Sequence, residues 1–498
     1  MRRVLGSGII VAMTRRLAVG IGVISACVLG FGPACTSDDD GGNDQAEAAT
    51  ESEGDSGDGD SGDGDGDPGD GDGDPGDGDG DSSALTYYKD AKPILDANCV
   101  TCHVEGGIGP FALQTWAQVE QWAPIIAPSI ADLSMPPWPP NPSCNSYEDE
   151  RLLGIDEREL LLEWIDAGFP EGDPADAPPD PEPPAPFEAD FSVSLPEPYT
   201  PTQVPDDYRC FVIPWPDSLT EPTYVTAQVV EPDQLQLVHH VISFVADPDD
   251  ADFYIGLDEA DPAPGYECFG GPGKLDWTAR WLGDWVPGMD AWYAPPGSGI
   301  EVQPGSSLIV QVHYNNLNAE PVADQTTLGF QISDTVERPG TFVPVTKFEW
   351  IAGFGNMTIP AGEANVHHSA TLDREHELFQ YTLASLGVGP SEEVDVWRSA
   401  LHMHLLGTQA RLSITQDNAS EDCLVQIDDW DFNWQGDYMF NEAVPFGAGD
   451  TMQLDCWYDN TEANQPIVNG EPKQPETVGW GDGTFDEMCL GIIYVARK

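Results

Sequence analysis

Five of the nine histidines fall into three compact motifs, Val238-His239-His240-Val241, Gln311-Val312-His313-Tyr314 and Leu401-His402-Met403-His404. Imidazoles grouped without carboxylates in the same motifs suit copper or zinc, and a thioether added to such a set shifts it toward Cu(I). Residues two apart on a regular strand share a face, so His402 and His404 can hold one ion together, whereas adjacent His239 and His240 point to opposite faces. A metal shared by His239 and His240 therefore demands a bend or bulge at that pair. His367, His368 and His376 stand outside these motifs and read as solvated loop residues.

A different chemistry is written at Cys99-Val100-Thr101-Cys102-His103. In the C-x-x-C-H pattern two thiols form thioethers with the vinyl groups of a haem c, and the adjacent His supplies the proximal iron ligand. A disulfide or half of a zinc site is the competing reading, but no second ligand pair with zinc-like spacing stands nearby. Met135, in Ser134-Met135-Pro136-Pro137-Trp138, is the candidate sixth ligand, with core packing as the alternative. A Met/His pair would favour electron transfer over oxygen binding.

These residues need folded elements to position them, and 498 residues is too long for one hydrophobic core. Helical patterns cover 87–98, 113–130 with Trp116, Val119 and Trp122 on one face, and 156–167. They predict a small all-α, cytochrome c-like haem domain over 85–170. A Pro-, Glu-, Asp- and Ala-rich stretch over 171–186 reads as a linker. Beyond Phe187 short β-rich runs such as Leu308 to Tyr314 and Ala410 to Thr415 alternate with Gly, Pro and Asn. That pattern predicts two all-β sandwich domains of the jelly-roll kind, over 187–340 and 341–498.

The formal charge of −68, from 19 basic and 87 acidic residues, repels nucleic acid and anionic membrane surfaces and excludes nucleic-acid partners. Arg2, Arg3, Arg15 and Arg16 precede a moderately apolar run from Leu17 to Phe31, which reads as an export signal too short and Gly-rich to span a bilayer. Cys35, ahead of Thr36-Ser37-Asp38-Asp39, is the preferred lipidation site over Cys27, so residues 1–35 form the signal and lipoprotein segment. Residues 36–84 are Gly/Asp repeats with almost no side chain able to build a core, and read as a disordered tether. The expectation is an exported lipoprotein, periplasmic or at the cell surface, that meets the membrane only through its lipid.

The stretch from Phe187 to Lys498 resembles the copper type II, ascorbate-dependent monooxygenases, the family of the peptidylglycine α-hydroxylating and dopamine β-monooxygenases. Its motifs occur in order: His239-His240, His313-Tyr314, His402-Met403-His404, and Asp486-Glu487-Met488-Cys489. The resemblance implies two copper ions, an electron-storing one on His239, His240 and His313, and an oxygen-binding catalytic one on His402, His404 and Met488. It also implies disulfides Cys210–Cys268 and Cys456–Cys489, leaving Cys144 and Cys423 to pair or stay free, and a solvent-filled cleft between the two coppers. Met403 should face away from the metal. The implied partners are a small-molecule substrate, O2 and an electron donor, either ascorbate-like or the fused haem domain. The positions that hold a peptide carboxylate in the amidating enzyme are Ala400, Leu490 and Ile492 here, so a less polar substrate is expected. The alternative is a copper and haem electron-transfer lipoprotein that does not hydroxylate.

Overall fold

The computed structural model describes residues 84–498, apart from 106–108, 149, 180–184, 269–270, 274–277, 317–320, 433, 469–470 and 482. The export segment, Cys27, Cys35 and the acidic tract up to residue 83 lie outside the described residues. Everything described falls in one compact unit. Among the described residues no helix is long and apolar enough to cross a membrane.

The N-terminal part is helical. A π-turn at Tyr87–Ala91 runs into α1 (Lys92–Asn98), followed by α2 (Trp116–Ala131) and α3 (Ile155–Asp166). Helix α2 starts later than its apolar pattern suggests, because Thr115 and Gln118 form a capping box that fixes the first turn. Its buried stripe is Val119, Ala123, Ile126 and Ile130, spaced three or four apart. Trp116 and Trp122, expected on that face, pack only partly buried against it. Leu95, Leu161, Trp164 and Tyr87 complete this small core.

Two sandwiches follow. The outer sheet of the first has the order Tyr266–Glu267, β1 (Asp206–Pro214), β4 (Ser307–Asn315), β2 (Val238–Ala246), β3 (Ala279–Trp285). Strand β4 is buried on both faces. One face meets the opposing sheet, while beyond the other the Pro248–Ala260 helix and the Cys210–Cys268 disulfide add Tyr254, Tyr266 and Phe244 to a separate cluster. Such double coverage replaces alternation by a continuous apolar run.

The second sandwich packs a sheet containing β5 (Arg338–Val345), β6 (Val394–His402), β9 (Asp437–Phe446) and β11 (Leu490–Arg497) on another. The latter is ordered Val366–Asp373, β10 (Thr451–Tyr458), β7 (Gly407–Thr415), β8 (Glu421–Ile427). Alternation is strict in β10, where Met452, Leu454, Cys456 and Tyr458 point inward. The two sandwiches are joined: β5 pairs in parallel with Ser298–Val302 of the first, making one nine-stranded sheet that runs through both. The boundary expected between residues 340 and 341 thus falls inside β5.

The segment between α2 and α3 does not stay with the helices. Residues 138–148 cross to the second sandwich, where Pro140 bridges Ile427, Asn141 N–H donates to Gln426 O (2.7 Å), and Glu148 N–H donates to Met439 O (2.8 Å). Tyr147 enters the core and its hydroxyl donates to Leu424 O (3.0 Å). Cys144 is bonded to Cys423 with Cα atoms 5.1 Å apart, within the reach such a bridge requires. Both β8 and β9 are edge strands, and this segment covers backbone that would otherwise lie open to unwanted pairing. Cys456 is likewise bonded to Cys489. Three disulfides mark a chain that folds outside a reducing cytoplasm.

Candidate metal centre

His239, His240 and His313 bring one ring nitrogen each into a cluster within 4.8 Å. Strand β2 solves the problem of adjacent histidines by a register shift between Val238 and His240, which leaves His239 out of the ladder and turns it to the same side. His240 Nδ1 lies 3.3 Å from His239 Nδ1 and 3.4 Å from His313 Nδ1. Nitrogens held about 2.0 Å from one tetrahedral ion stand roughly 3.3 Å apart, so this spacing fits a bound cation. His313 Nε2–H donates to Asp206 Oδ1 at 2.9 Å, which fixes the tautomer and leaves Nδ1 free to ligate. Tyr208 stacks on the His313 ring at 4.0 Å.

The second cluster uses the other ring nitrogen. His402 Nε2 and His404 Nε2 are 3.2 Å apart, while His402 Nδ1–H donates to Gln435 Oε1 (2.5 Å) and His404 Nδ1–H to Asp486 O (3.1 Å). The alternation argument placed both residues on one strand, yet β6 ends at His402. His404 is turned into place instead by Glu487, whose fully buried carboxylate accepts from His404 N–H (2.9 Å) and Leu406 N–H (2.6 Å). Met488, buried, lines the same cleft as His402 and His404. Met403 is wholly buried in the second core, away from them.

Burial lowers the pKa of all five imidazoles. It takes His239 down to about 4 and His404 to about 3, with the neighbouring histidines adding to the effect. His240 and His313 are driven well below the ordinary range for the same reasons, and His402 is lowered. They are neutral donors at physiological pH. Neutral imidazole nitrogens suit copper, and a thioether joined to such a set would bias it to Cu(I).

Residues 352–496 match the family model described as the copper type II ascorbate-dependent monooxygenase C-terminal domain. The dopamine beta-hydroxylase of Homo sapiens is 24% identical over 324 residues, 63% of this chain and 47% of that protein. The tyramine beta-hydroxylase of Caenorhabditis briggsae is 22% identical over 359 residues, 70% of this chain and 56% of that protein. These similarities support the copper type II monooxygenase family. The chain spans about half the length of these curated relatives. The solved structure of N-glycanase F, 9% identical, covers 62% of this chain and 96% of its own at a TM-score of 0.25, too low to carry an argument.

A cleft of about 540 Å³ opens beside both clusters, lined by His240 on one side and His402, His404 and Met488 on the other. Its walls are largely apolar, with Ile242, Phe244, Trp281, Trp285, Leu490 and Ile492. Asp284 also lines it, and burial, reinforced by Asp437, pushes its carboxyl up to about 7. Arg398, behind this wall, is already engaged: its guanidinium grips Asp437 at 2.6 and 2.8 Å. One arginine faces two carboxylates, and its contacts go to Asp437.

Several residues here were not legible beforehand. Asp206, Gln435 and Asp284 belong to no motif, nor does Phe432, which stacks on His239. Glu487 stood within one, and the only signal for its role was its place beside the ligand-type Met488. Of the other histidines, His367 stacks on Trp457 and contacts Asp455 at 2.8 Å. His368 Nε2–H donates to Thr358 O, and both lie on the strand Val366–Asp373 rather than in a loop. His376 caps the helix Glu377–Ala384.

At the C-x-x-C-H motif Cys99 and Cys102 are both free thiols, and burial raises Cys99 to about 12. His103 is nearly buried and its Nδ1–H donates to Phe111 O at 3.0 Å, leaving Nε2 available. Gly109 allows this: a Cβ there would come within 2.7 Å of His103 Nδ1 and 2.9 Å of Cys102 O.

Proposed function

We propose that this protein is an exported copper monooxygenase that converts a substrate C–H bond, with O2, two electrons and two protons, into an alcohol and water. The observation carrying the reading is the pair of unlike clusters beside one cleft, three Nδ1 donors in one and two Nε2 donors with Met488 in the other. A metal store has no need of two dissimilar sites facing a substrate-sized cavity. In this reading His239, His240 and His313 hold the electron-storing copper, and His402, His404 and Met488 the catalytic one. Copper, when bound, supplies the oxygen chemistry, and the protein supplies geometry and hydrogen bonds to the ligands.

The free thiols and the oriented His103 suit a covalently attached haem c, which Cys99, Cys102 and His103 would hold, with Met135 as the candidate further iron ligand, and which would supply one-electron transfer. Electron input from the helical part has structural support. Trp138, three residues beyond Met135, meets Tyr438 edge-on at 5.3 Å, and Tyr438 packs against Gly436, next to the Gln435 that holds His402. In this reading the segment that follows Met135 is packed on the sandwich that carries His402, rather than left free. A lipid on Cys35 would anchor the chain to a membrane.

The deciding experiment is metal and haem content of the mature protein, then oxygen uptake with tyramine or a less polar amine as probe. Two coppers and one haem with substrate-dependent uptake are expected. Copper without such uptake would favour the electron-transfer alternative.

The cleft suits a hydrophobic amine. Asp284 is the one carboxylate in the lining of this cleft, whose walls are aromatic and aliphatic, and such a cavity is complementary to a hydrophobic ammonium group. Since an ammonium binds the ionised form, affinity should rise as pH climbs through about 7, the value to which burial and Asp437 push the Asp284 carboxyl. In Asp284→Asn the rise should disappear and KM for the amine should increase about tenfold, the loss of a hydrogen bond to a charged group. An unchanged KM and pH profile in that variant would remove Asp284 from substrate binding.

A further inference from the structure

We infer that Phe432 bridges the two metal clusters and forms the route by which an electron crosses between them. This rests on the two-copper reading above. The Phe432 ring stacks on His239 of the first cluster, centroids 4.7 Å apart and planes 19° apart, and meets His404 of the second edge-on at 6.1 Å. It is only 9% exposed.

The loop that carries it is clamped on both sides. Trp430 Nε1–H donates to His404 O at 3.1 Å, Gln435 Oε1 accepts from His402, and Gln435 Nε2–H donates back to Phe432 O at 2.8 Å. One stretch of six residues therefore touches a ligand of the first cluster and both imidazoles of the second. Phe432 is not among the residues lining the cleft, so the clusters are joined through packed protein on one side while substrate space lies on the other. The resemblance implied only a solvent gap there.

The packed ring supplies a continuous van der Waals path between His239 and His404, where the resemblance implied only solvent. In the step assigned to Phe432 one electron leaves Cu(I) of the first site, which becomes Cu(II), and reduces Cu(II) of the second to Cu(I). No bond forms or breaks. The phenyl ring is too hard to oxidise to hold the electron itself, so it acts as the medium of tunnelling and as the spacer between the sites.

The test compares the copper-loaded wild type with Phe432→Leu, which keeps apolar bulk, and Phe432→Tyr, which keeps the ring. Pulsed dipolar EPR on the fully oxidised proteins reads the spacing of the coppers. Flash photolysis of carbon monoxide from the half-reduced proteins, followed in the infrared, reads the crossing. When CO leaves, the electron can move to the first site, and CO returns to the second only after the electron does. We expect a slow rebinding phase in the wild type and in Phe432→Tyr, clearly slower in Phe432→Leu, with two coppers and the same initial CO band in all three. Equal slow phases in wild type and Phe432→Leu, or no slow phase in the wild type, would overturn the bridge while leaving the enzyme intact. A wild type holding fewer than two coppers would instead overturn the two-copper reading and the bridge with it.

Discussion

Met488→Ala is expected to keep the first copper and lower substrate-dependent oxygen uptake by about 100-fold, the upper range for damage to a metal's surroundings. Its thioether is the one soft donor at the second cluster, and soft donors are what favour Cu(I) there. The backbone at this position is held independently of the side chain. Tyr458 O–H donates to Met488 O at 2.6 Å, and the next residue, Cys489, is disulfide-bonded to Cys456. Truncation should therefore remove a ligand without unfolding the segment that carries it. Copper per chain, the Cu(II) EPR spectrum of the three-histidine site and oxygen consumption separate the outcomes. Undiminished uptake with two coppers bound would withdraw Met488 from the catalytic set. His404→Ala should behave alike, because both donors serve the same ion.

The histidine clusters could be read from the chain because histidine is rare here and its spacing compact: five of nine histidines fall in three motifs, whereas Met488 came from the family resemblance alone. The expectation that His239 and His240 need a bulge followed from strand geometry alone, and the register shift in β2 supplies it. The same reasoning placed His402 and His404 on one strand, and there it fell short, because His404 lies past the end of β6 and takes its position from Glu487 and Asp486. Periodicity sees neighbours along a strand and is blind to a carboxylate 83 residues away. Asp206, Phe432 and Asp284 were hidden for the same reason. Each is placed by the tertiary fold, Asp206 against His313 across a sheet, Phe432 against both clusters and Asp284 in the cleft wall, and none has a residue type unusual enough to stand out.

The fold was legible at the level of helices first and strands after, since β10 alternates strictly and α2 has a helical apolar stripe. What escaped was how the parts join. Residues 138–148 look like a Pro-rich loop, yet they cover the edges of β8 and β9, and the two cysteines left without an assignment, Cys144 and Cys423, are the bond that fastens them. The parallel pairing of β5 with Ser298–Val302 joins the sandwiches through two residue pairs, Arg338 with Ser298 and Pro339 with Gly299. That is too little for any sequence pattern to announce.

Glu487→Ala should damage stability and the second copper site together. The carboxylate is fully buried and accepts from His404 N–H and Leu406 N–H, one on each oxygen. Burial pushes its carboxyl up to about 8, against the pull of the backbone donors. Removing it strands two buried N–H groups at about 1–3 kcal/mol each. The turn bearing His404 then loses its hold on the segment bearing Met488, so affinity for the second copper should fall about 10–100-fold. Glu487→Gln separates the two effects: its amide oxygen can accept one N–H, but its NH2 faces the other donor, so it should recover part of the stability and little of the geometry. Thermal unfolding of the copper-free protein reads the first effect, and competition of a Cu(I) chelator against the loaded protein reads the second. A Glu487→Ala protein that melts like wild type and still holds both coppers against the chelator would mean that His404 and Met488 are brought together by the surrounding sandwich, and that the carboxylate between them is incidental.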